Sequence, residues 1–287
     1  RIIVAASEKR RTKAASPIEL TAGDAAGALV IAEGDGAAKL LGQATHAVDF
    51  VDHYRGQDEA FDYVWEERWI RDEGYNKIVP TAINAALANA GIEAGDVNHF
   101  IFPVAAGRVA GGLAKKLGIP DAAVRDNLQG TVGEAGSAHP IVMLVQALEG
   151  AKRGDIILVT SFGQGCDALI FGVTDAVNDA KPAAGISGAI SRRREEENYN
   201  RFLGINNLVN MEQGLRAEVD KQTGMTTLFR NKEMILSLVG GKCSACGTLQ
   251  YPKSNVCANP NCSAVGTQED QPFADMPAKL NSFTADS

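Results

Sequence analysis

The sequence lacks the long apolar runs and the excess of positive charge that mark several classes of protein. None of its apolar segments approaches the roughly 20 residues that a membrane-spanning helix needs, and its first residues lack the charged-then-apolar pattern of a signal peptide. The 28 lysines and arginines are outnumbered by 35 aspartates and glutamates, so the formal net charge is −7. Because nucleic-acid binding needs clustered cations, this balance argues against it. We expect a cytoplasmic protein that binds neither membrane nor nucleic acid.

The length and composition indicate an ordinary globular protein with about two domains. The 287 residues are enough for a sizeable buried core, and 45% of them are hydrophobic while 22% are charged. The 30 glycines predict many tight turns and close backbone contacts. No internal repeat of the length found in solenoid proteins is present.

Cysteine is scarce, and four of the five cysteines lie close together. Cys166 stands alone, whereas the segment GKCSACGTLQYPKSNVCANPNC holds two close pairs. Gly247 follows the first pair, as the turn of a zinc knuckle requires, and Asn259-Pro260 predicts a turn inside the wider second pair. This spacing favours one structural Zn²⁺ with no open coordination position; disulfides and uncoordinated thiols are the alternatives. The predicted ligands are Cys243, Cys246, Cys257 and Cys262.

Apolar strands and amphipathic helices alternate over the first 175 residues. This order predicts an α/β fold, a mixed sheet with helices on both faces and an antiparallel pair at one edge. A helix is expected from Asn76 to Ala90, because Gly91 follows its apolar stripe. Phe61, Val64, Trp65 and Trp69 also have helical spacing and are expected in the core. Further strands are expected near 1–6, 23–32, 39–45, 98–104, 155–159 and 168–173, with helices at 107–117 and 141–151.

The composition changes after Val177. Residues 181–191 are rich in alanine and glycine, and Ser191 to Asn198 balances three positive against three negative charges, which is typical of a solvated helix face. We therefore predict one domain over 1–178, a linker and helical segment over 179–238, and the cysteine module over 239–287. Residues 278–287 predict one strand of a further fold.

Two parts of the sequence resemble known families. Residues 1 to about 174 resemble the later part of a thiolase-superfamily subunit of the hydroxymethylglutaryl-CoA synthase and ketoacyl-ACP synthase III type. The resemblance rests on GDAAGALVI at Gly23 and on the order of elements up to Val173. From about Tyr199 the chain is similar to the zinc-ribbon and OB-fold proteins that accompany such enzymes, with GGKCSACGTLQYP at Gly240 as the main match. These resemblances imply a thiolase-like second half-fold, a zinc ribbon and the start of an OB-fold, cut from a longer protein at both ends.

The resemblance implies carbon–carbon bond formation or cleavage on acyl-CoA or acyl-ACP thioesters, through a cysteine thiolate that takes up the acyl group. That nucleophile belongs to the first half-fold and is expected upstream of this chain. Cys166 lies in the wrong motif and is expected to be a small core residue. Val104 stands where the family has a histidine or asparagine, Glu134 stands at the next family position, and Ser161 stands where the thiolase branch has a second cysteine.

The residues near this site allow two interpretations. Glu134 and His139 are candidates for proton transfer, and Ser161 is placed with them in the catalytic set. The alternative is that Glu134 caps the following helix and that His139 begins it beside Pro140. Gly163, Gln164 and Gly165 are expected to let the backbone approach the thioester or its pantetheine arm.

The leading prediction is therefore an acyl-CoA acyltransferase with a structural zinc. The alternative is a non-catalytic scaffold that binds acyl-CoA and pairs with a genuine thiolase; Val104 favours it. A homodimer or a complex with a thiolase subunit is expected on the basis of the resemblance. A zinc-ribbon nucleic-acid factor is a third possibility, which the acidic charge disfavours.

Overall fold

The computed structural model describes residues 1–179, 185–210 and 225–283. The chain divides into two compact units, Arg1–Asn210 and Met211–Ser287. Within the described ranges, no helix combines the length and apolar character needed to cross a membrane.

The first unit is built from short strands and helices that follow the predicted order. Its helices are α1 (Glu67–Trp69), which continues into a π-helix (Ile70–Tyr75), then α2 (Asn76–Ala90), α3 (Val109–Leu117), α4 (His139–Gly150), α5 (Gly185–Ser191) and α6 (Tyr199–Ile205), with single 3₁₀ turns at Ala94–Asp96, Asp121–Ala123, Gly136–Ala138 and Asp175–Asn178. Its strands are β1 (Ile2–Lys9), β2 (Asp24–Ile31), β3 (Ala38–Ala47), β4 (His53–Tyr54), β5 (Tyr63–Val64), β6 (His99–Ile101), β7 (Ile156–Gly163) and β8 (Gly165–Val173).

The central sheet has the order β3-β8-β7-β6. β7 and β8 form the predicted hairpin, and β6 runs parallel to β7. β8 is not an edge strand, because β3 pairs with its other side in antiparallel fashion. The sheet is therefore mixed, as predicted, but its antiparallel part comprises three strands. β1 and β2 form a separate antiparallel pair, as do β4 and β5.

Helices cover both faces of this sheet and bury two apolar clusters. Successive side chains of a strand point to opposite faces, so Leu158 packs with α2 and α3 while Ile157 and Val159 pack with α4. On β6, Phe100 likewise packs in the cluster with α2 and α3, and Ile101 packs in the cluster with α4. Burying each such side chain contributes roughly 1.5–3 kcal/mol, so these two clusters are the main source of stability of the first unit.

Helix α2 confirms the sequence prediction at both ends. Gly91 has φ of +65°, and its N–H donates to the carbonyls of Leu87 and Ala88. A left-handed residue directly after the last turn is favourable for glycine, which has no Cβ. The predicted stripe is buried except at its last residue, Ala90, which is partly buried; Val79, Ile83 and Ala86 are fully inaccessible.

The predicted helix over the aromatic stripe is wrong in its first half. Tyr63 and Val64 form a strand that pairs with β4, and helical structure begins only at Glu67. Trp65 packs edge-on against Phe50, and Trp69 is 50% exposed. Spacing alone cannot separate a short helix from a hairpin followed by a turn, because both bring the same few apolar residues together.

Residues beyond the central sheet pack onto the first unit. Ile186 and Ile190 of α5 join the cluster on the α4 face. Tyr199 of α6 donates a hydrogen bond to the buried Glu19, at 2.9 Å. Residues 193–198 are exposed and have no regular structure, so the predicted charged helix face is not formed there.

The second unit contains a small antiparallel sheet and two short helices. Its helices are α7 (Met225–Arg230) and α8 (Lys232–Ser237), and its strands are β9 (Val239–Cys243), β10 (Leu249–Gln250) and β11 (Gln268–Pro272), with β9 in the middle. Residues 278–283 contain no strand, so the predicted final strand is wrong over that stretch; residues 284–287 lie outside the described residues.

Candidate active site and metal site

A cavity of about 950 Å³ lies in the first unit, where loops that follow β1, β6 and β7 face the β4–β5 hairpin. It is the place where most of the predicted site residues meet. The predicted residues that line it are Val104, Glu134, Ser161, Gly163 and Gln164. His139 and Gly165 are not among the lining residues.

The backbone of Glu134 is fixed beside β2. Its N–H donates to Thr21 O and its carbonyl accepts from Gly23 N–H, both at 2.8 Å. This close approach depends on glycine: a Cβ on Gly23 would lie 1.9 Å from Val132 O. Gly23 and the glycine-rich loop over 127–140 therefore serve to bring Glu134 to the cavity wall.

Both carboxylate oxygens of Glu134 are engaged. Oε1 accepts the N–H of Gly136 at 2.7 Å, and Oε2 forms an ion pair with the guanidinium of Arg10. The side chain of Arg10 is only 4% exposed, and its Nε also donates to Asp62 at 2.5 Å. Glu134 thus accepts an N–H of the 3₁₀ turn Gly136–Ala138, while helix α4 has no side-chain cap, and its charged carboxylate is stabilised by a buried cation.

Asp62 completes this charged network. Burial raises the pKa of its carboxyl group, but hydrogen bonds and charge from Arg10 and Arg55 outweigh burial and hold the pKa below its usual value. Asp62 is therefore ionised, and Arg10 lies between two carboxylates. Such a buried cation is stable only while its partners remain in place.

His139 is 1% exposed and begins helix α4, as the alternative interpretation states. Its Nδ1 accepts the N–H of Ala135 at 3.1 Å, and its Nε2 lies 2.7 Å from the carbonyl oxygen of Asn127. This pattern fixes the neutral tautomer with hydrogen on Nε2. Burial lowers the pKa of His139, although the hydrogen bond to Asn127 opposes the shift. The ring ties the two ends of the glycine-rich loop together.

The end of β7 presents Ser161 and Gly163 to the cavity, and the turn to β8 presents Gln164. A Cβ on Gly163 would meet no atom within 4 Å, so there is open space above its backbone. Gly165 differs, because its φ is +102° and a Cβ there would lie 2.1 Å from His46 O on β3. Its geometry reflects strand packing and not approach to a ligand.

Cys166 is buried, with 3% of its surface exposed. Burial, with a smaller contribution from Asp167, raises the pKa of its thiol to about 12. A thiol in this state is not a nucleophile at neutral pH. The geometry thus agrees with the expectation that Cys166 is a core residue.

The cavity also holds a group that the sequence interpretation missed. Nδ1 of His53 lies 2.7 Å from Asp52 Oδ1, and the hydroxyl of Tyr75 donates to Asp52 Oδ2 at 2.7 Å. All three residues line the cavity. The adjacency of an aspartate and a histidine was the only signal in the sequence, and it is weak without the fold.

In the second unit, the four clustered cysteines converge. Their Sγ atoms all lie within 4.8 Å of one another, with 3.6 Å between Cys246 and Cys257 and 3.9 Å between Cys243 and Cys262. A Zn–S bond of about 2.3 Å in a tetrahedron implies S–S separations of about 3.8 Å, whereas a disulfide needs about 2.05 Å. The cluster therefore fits zinc and not disulfides. Gly247, at φ of +74°, makes the first turn, and Asn259 makes the second by accepting the N–H of Cys262.

Comparison with known families finds one match in each of the two units. Residues 87–171 match the C-terminal domain of 3-oxoacyl-[acyl-carrier-protein] synthase III, and residues 234–265 match the rubredoxin-like zinc ribbon domain of ChsH2. The chain joins a thiolase-like domain to a zinc ribbon. The predicted family resemblance, the α/β fold and the structural zinc site are thereby confirmed.

Several curated relatives of the thiolase-like domain are hydroxymethylglutaryl-CoA synthases. The enzyme of Aeropyrum pernix is 30% identical over 207 residues, which cover 71% of this chain and 57% of the relative. The enzyme of Pyrococcus horikoshii is 29% identical over 183 residues, covering 62% of this chain and 52% of the relative. The chain thus spans little more than half the length of the curated relatives it matches.

Solved structures show the same fold at lower identity. A structure of HMG-CoA synthase complexed with CoA superposes with a TM-score of 0.59 and 14% identity, covering 78% of this chain and 62% of that one. MvaS in complex with 3-hydroxy-3-methylglutaryl coenzyme A gives a TM-score of 0.54 and 17% identity, covering 77% and 62%. These likenesses establish the fold of the thiolase-like domain.

Proposed function

We propose that this chain belongs to an acyltransferase that acts on acyl-CoA or acyl-ACP thioesters, by Claisen-type condensation or the reverse cleavage. The observation that carries the proposal is the convergence of Glu134, Ser161, Gly163 and Gln164 on one cavity of the thiolase-like domain. The related hydroxymethylglutaryl-CoA synthases support a CoA thioester as substrate. The cavity, at about 950 Å³, has the size of a small-molecule site.

The proposal assigns the nucleophilic cysteine to a part of the protein outside these 287 residues. Cys166 has neither the exposure nor the ionisation that a nucleophile needs. The four remaining cysteines hold the metal site. A chain that holds both a four-thiolate site and a free thiol is typical of a reducing compartment, which supports the cytoplasm as the location.

A non-catalytic scaffold that binds acyl-CoA is the second candidate. Val104 can neither donate nor accept a proton through its side chain, Glu134 is bound by Arg10, and both ring nitrogens of His139 are hydrogen-bonded. These three observations favour a domain that has lost the proton chemistry of its relatives. Either candidate could act as a homodimer or together with a thiolase subunit.

Binding of a CoA thioester tests the part that both candidates share. We expect the Gly163→Leu variant to bind acetyl-CoA at least tenfold more weakly by calorimetry, because its side chain fills open space at the cavity wall. Gly95→Leu is the matched control, since its Cβ also meets no atom within 4 Å but lies outside the cavity lining. Equal affinity in both variants would place the thioester elsewhere.

Acyl transfer separates the two candidates. An enzyme should form a covalent adduct when the full-length natural protein is incubated with labelled acyl-CoA, because the acyl group moves to a cysteine. Binding of acyl-CoA without any labelled adduct would support the scaffold and remove the enzyme.

A further inference from the structure

The pair Asp52–His53 forms an oriented carboxylate–imidazole group at the cavity wall. Asp52 Oδ1 lies 2.7 Å from Nδ1 of the ring, and Asp52 Oδ2 accepts the hydroxyl of Tyr75 at 2.7 Å. Tyr75 is 6% exposed and packs edge-on against Phe102 and Phe162, so its position is fixed. A buried aromatic residue thus holds the carboxylate, and the carboxylate holds the imidazole.

The protonation state of Asp52 follows from its polar contacts. Burial raises the pKa of Asp52, but hydrogen bonds and charge from His53, with the hydroxyl of Tyr75, outweigh burial and lower the pKa below its usual value. The Tyr75 hydroxyl keeps its proton, because burial and the nearby Asp52 raise its pKa. An ionised Asp52 can only accept, so Nδ1 of His53 carries a hydrogen whether or not the ring is charged, and Nε2 carries the lone pair when the ring is neutral.

Nε2 of His53 is available for chemistry. Within the part of the chain that the structure describes, it has no hydrogen-bond partner, and the side chain of His53 is 29% exposed at the cavity. The charged groups around the ring are Asp52 and, in an adjoining recess of about 300 Å³, Glu8, Arg10, Arg55 and Asp62. Both arginines are paired with Asp62, so the carboxylate of Asp52 is the charge in direct contact with the ring.

The other proton-transfer candidates of the cavity lack this freedom. Glu134 is paired with Arg10, and His139 is fully buried with both nitrogens engaged. Neither His46 nor His99 lines the cavity, and Nε2 of His99 lies 3.0 Å from Asp155 Oδ2.

We infer that His53 is the proton acceptor of the thiolase-like domain, with Asp52 and Tyr75 as positioning residues. The inference rests on the proposed function and names the group that activates its thioester. His53 Nε2 takes a proton from the carbon next to the thioester carbonyl, and the electron pair of that C–H bond becomes the enolate. The resulting imidazolium is stabilised by Asp52.

Hydrogen exchange into acetyl-CoA tests this step directly. With the full chain in D₂O, NMR should show exchange of the methyl hydrogens, and His53→Gln should slow it by a factor of about 100 or more. Affinity for acetyl-CoA should change by no more than about twofold, since only the basic nitrogen is lost. His46→Gln is the matched control and should exchange at the wild-type rate.

The split between exchange rate and affinity separates proton transfer from a structural role. Asp52→Asn and Tyr75→Phe should each slow exchange about tenfold while leaving affinity intact. If His53→Gln does not fold, the exchange rates of these two variants test whether His53 is the proton acceptor.

A failure of the role of His53 can be distinguished from a failure of the proposed function. Wild-type exchange rates in His53→Gln, or binding of acetyl-CoA without any exchange by the wild-type chain, would overturn the role of His53 and leave the binding function standing. A chain that does not bind acetyl-CoA would overturn the proposed function, and the role of His53 with it.

Discussion

Single buried polar residues decide how the cavity of the thiolase-like domain is built. Arg10 is 4% exposed and lies between Glu134 and Asp62. Removing one carboxylate would leave a buried cation short of a partner, which is costly. Glu134 therefore holds the cavity wall together, whichever chemistry takes place beside it.

His139 is expected to make stability depend on pH. Because burial lowers its pKa, the folded chain binds fewer protons than the unfolded chain below the ordinary histidine value of about 6.5. Its contribution to stability is therefore present above about pH 6.5 and is lost as the pH falls toward the lowered pKa. This loss can reach about 1.4 kcal/mol per pH unit.

Urea unfolding at pH 7.5 and pH 5.5 measures this effect. The wild-type free energy of unfolding should fall between the two pH values, and His139→Gln should lose less, because an amide does not titrate. The variant should also be less stable at pH 7.5, by about 1–3 kcal/mol, since buried hydrogen bonds are disturbed. An unchanged pH dependence in the variant would show that the ring is not held neutral by burial.

The site was only partly predictable from single residues. Glu134 and Ser161 were found because they stand at positions that the family resemblance implies, and the Gly163-Gln164 pair because it lies in a glycine turn between two strands. The pairing of Arg10 with Glu134 spans more than a hundred residues, and the orientation of His53 depends on Tyr75 from another element. Such tertiary contacts leave no periodic signal in the sequence.

Secondary-structure elements differ in how strongly their sequences specify them. Helix α2 was predicted with its observed bounds, because its apolar stripe is long and Gly91 ends it. The aromatic segment before it was predicted wrongly, because the pairing of His53 with Val64 creates a hairpin that local spacing cannot reveal. Short aromatic runs satisfy helix and strand alike, and the tertiary contacts choose between them.

The β7–β8 hairpin gives an element-scale prediction. Gly165→Ala should lower the free energy of unfolding by about 2 kcal/mol or more, because its φ of +102° strains any side chain and its Cβ would lie 2.1 Å from His46 O. Gly112→Ala in α3 is the matched control: its Cβ meets no atom within 4 Å, and alanine favours helix by roughly 0.5–1 kcal/mol.

Urea denaturation of both variants measures the two free energies. Opposite signs are expected, with Gly165→Ala destabilised and Gly112→Ala stabilised. A neutral Gly165→Ala variant would mean that β3 and β8 can separate at this point without cost, and would return Gly165 to the candidates for ligand binding.

At the scale of the whole molecule, the two units draw their stability from different sources. The first unit buries two apolar clusters on the faces of its sheet. In the described part of the second unit, the buried hydrophobic residues are Cys243 and Cys257, which are themselves metal ligands. A module of this size without an apolar core depends on its metal to fold.

Zinc removal should therefore unfold the ribbon. We expect one zinc per chain by elemental analysis, and Cys257→Ser should lower that content, whereas Cys166→Ala should keep it because Cys166 lies in the apolar core of the thiolase-like domain. Zinc bound by deprotonated thiols contributes on the order of 10 kcal/mol to folding.

After chelation, hydrogen-exchange mass spectrometry should show loss of amide protection over 239–272, while β7 and β8 stay protected by the two apolar clusters. Retained protection of the metal-free ribbon would mean that its hairpins fold through backbone hydrogen bonds alone, and the four cysteines would then need another explanation.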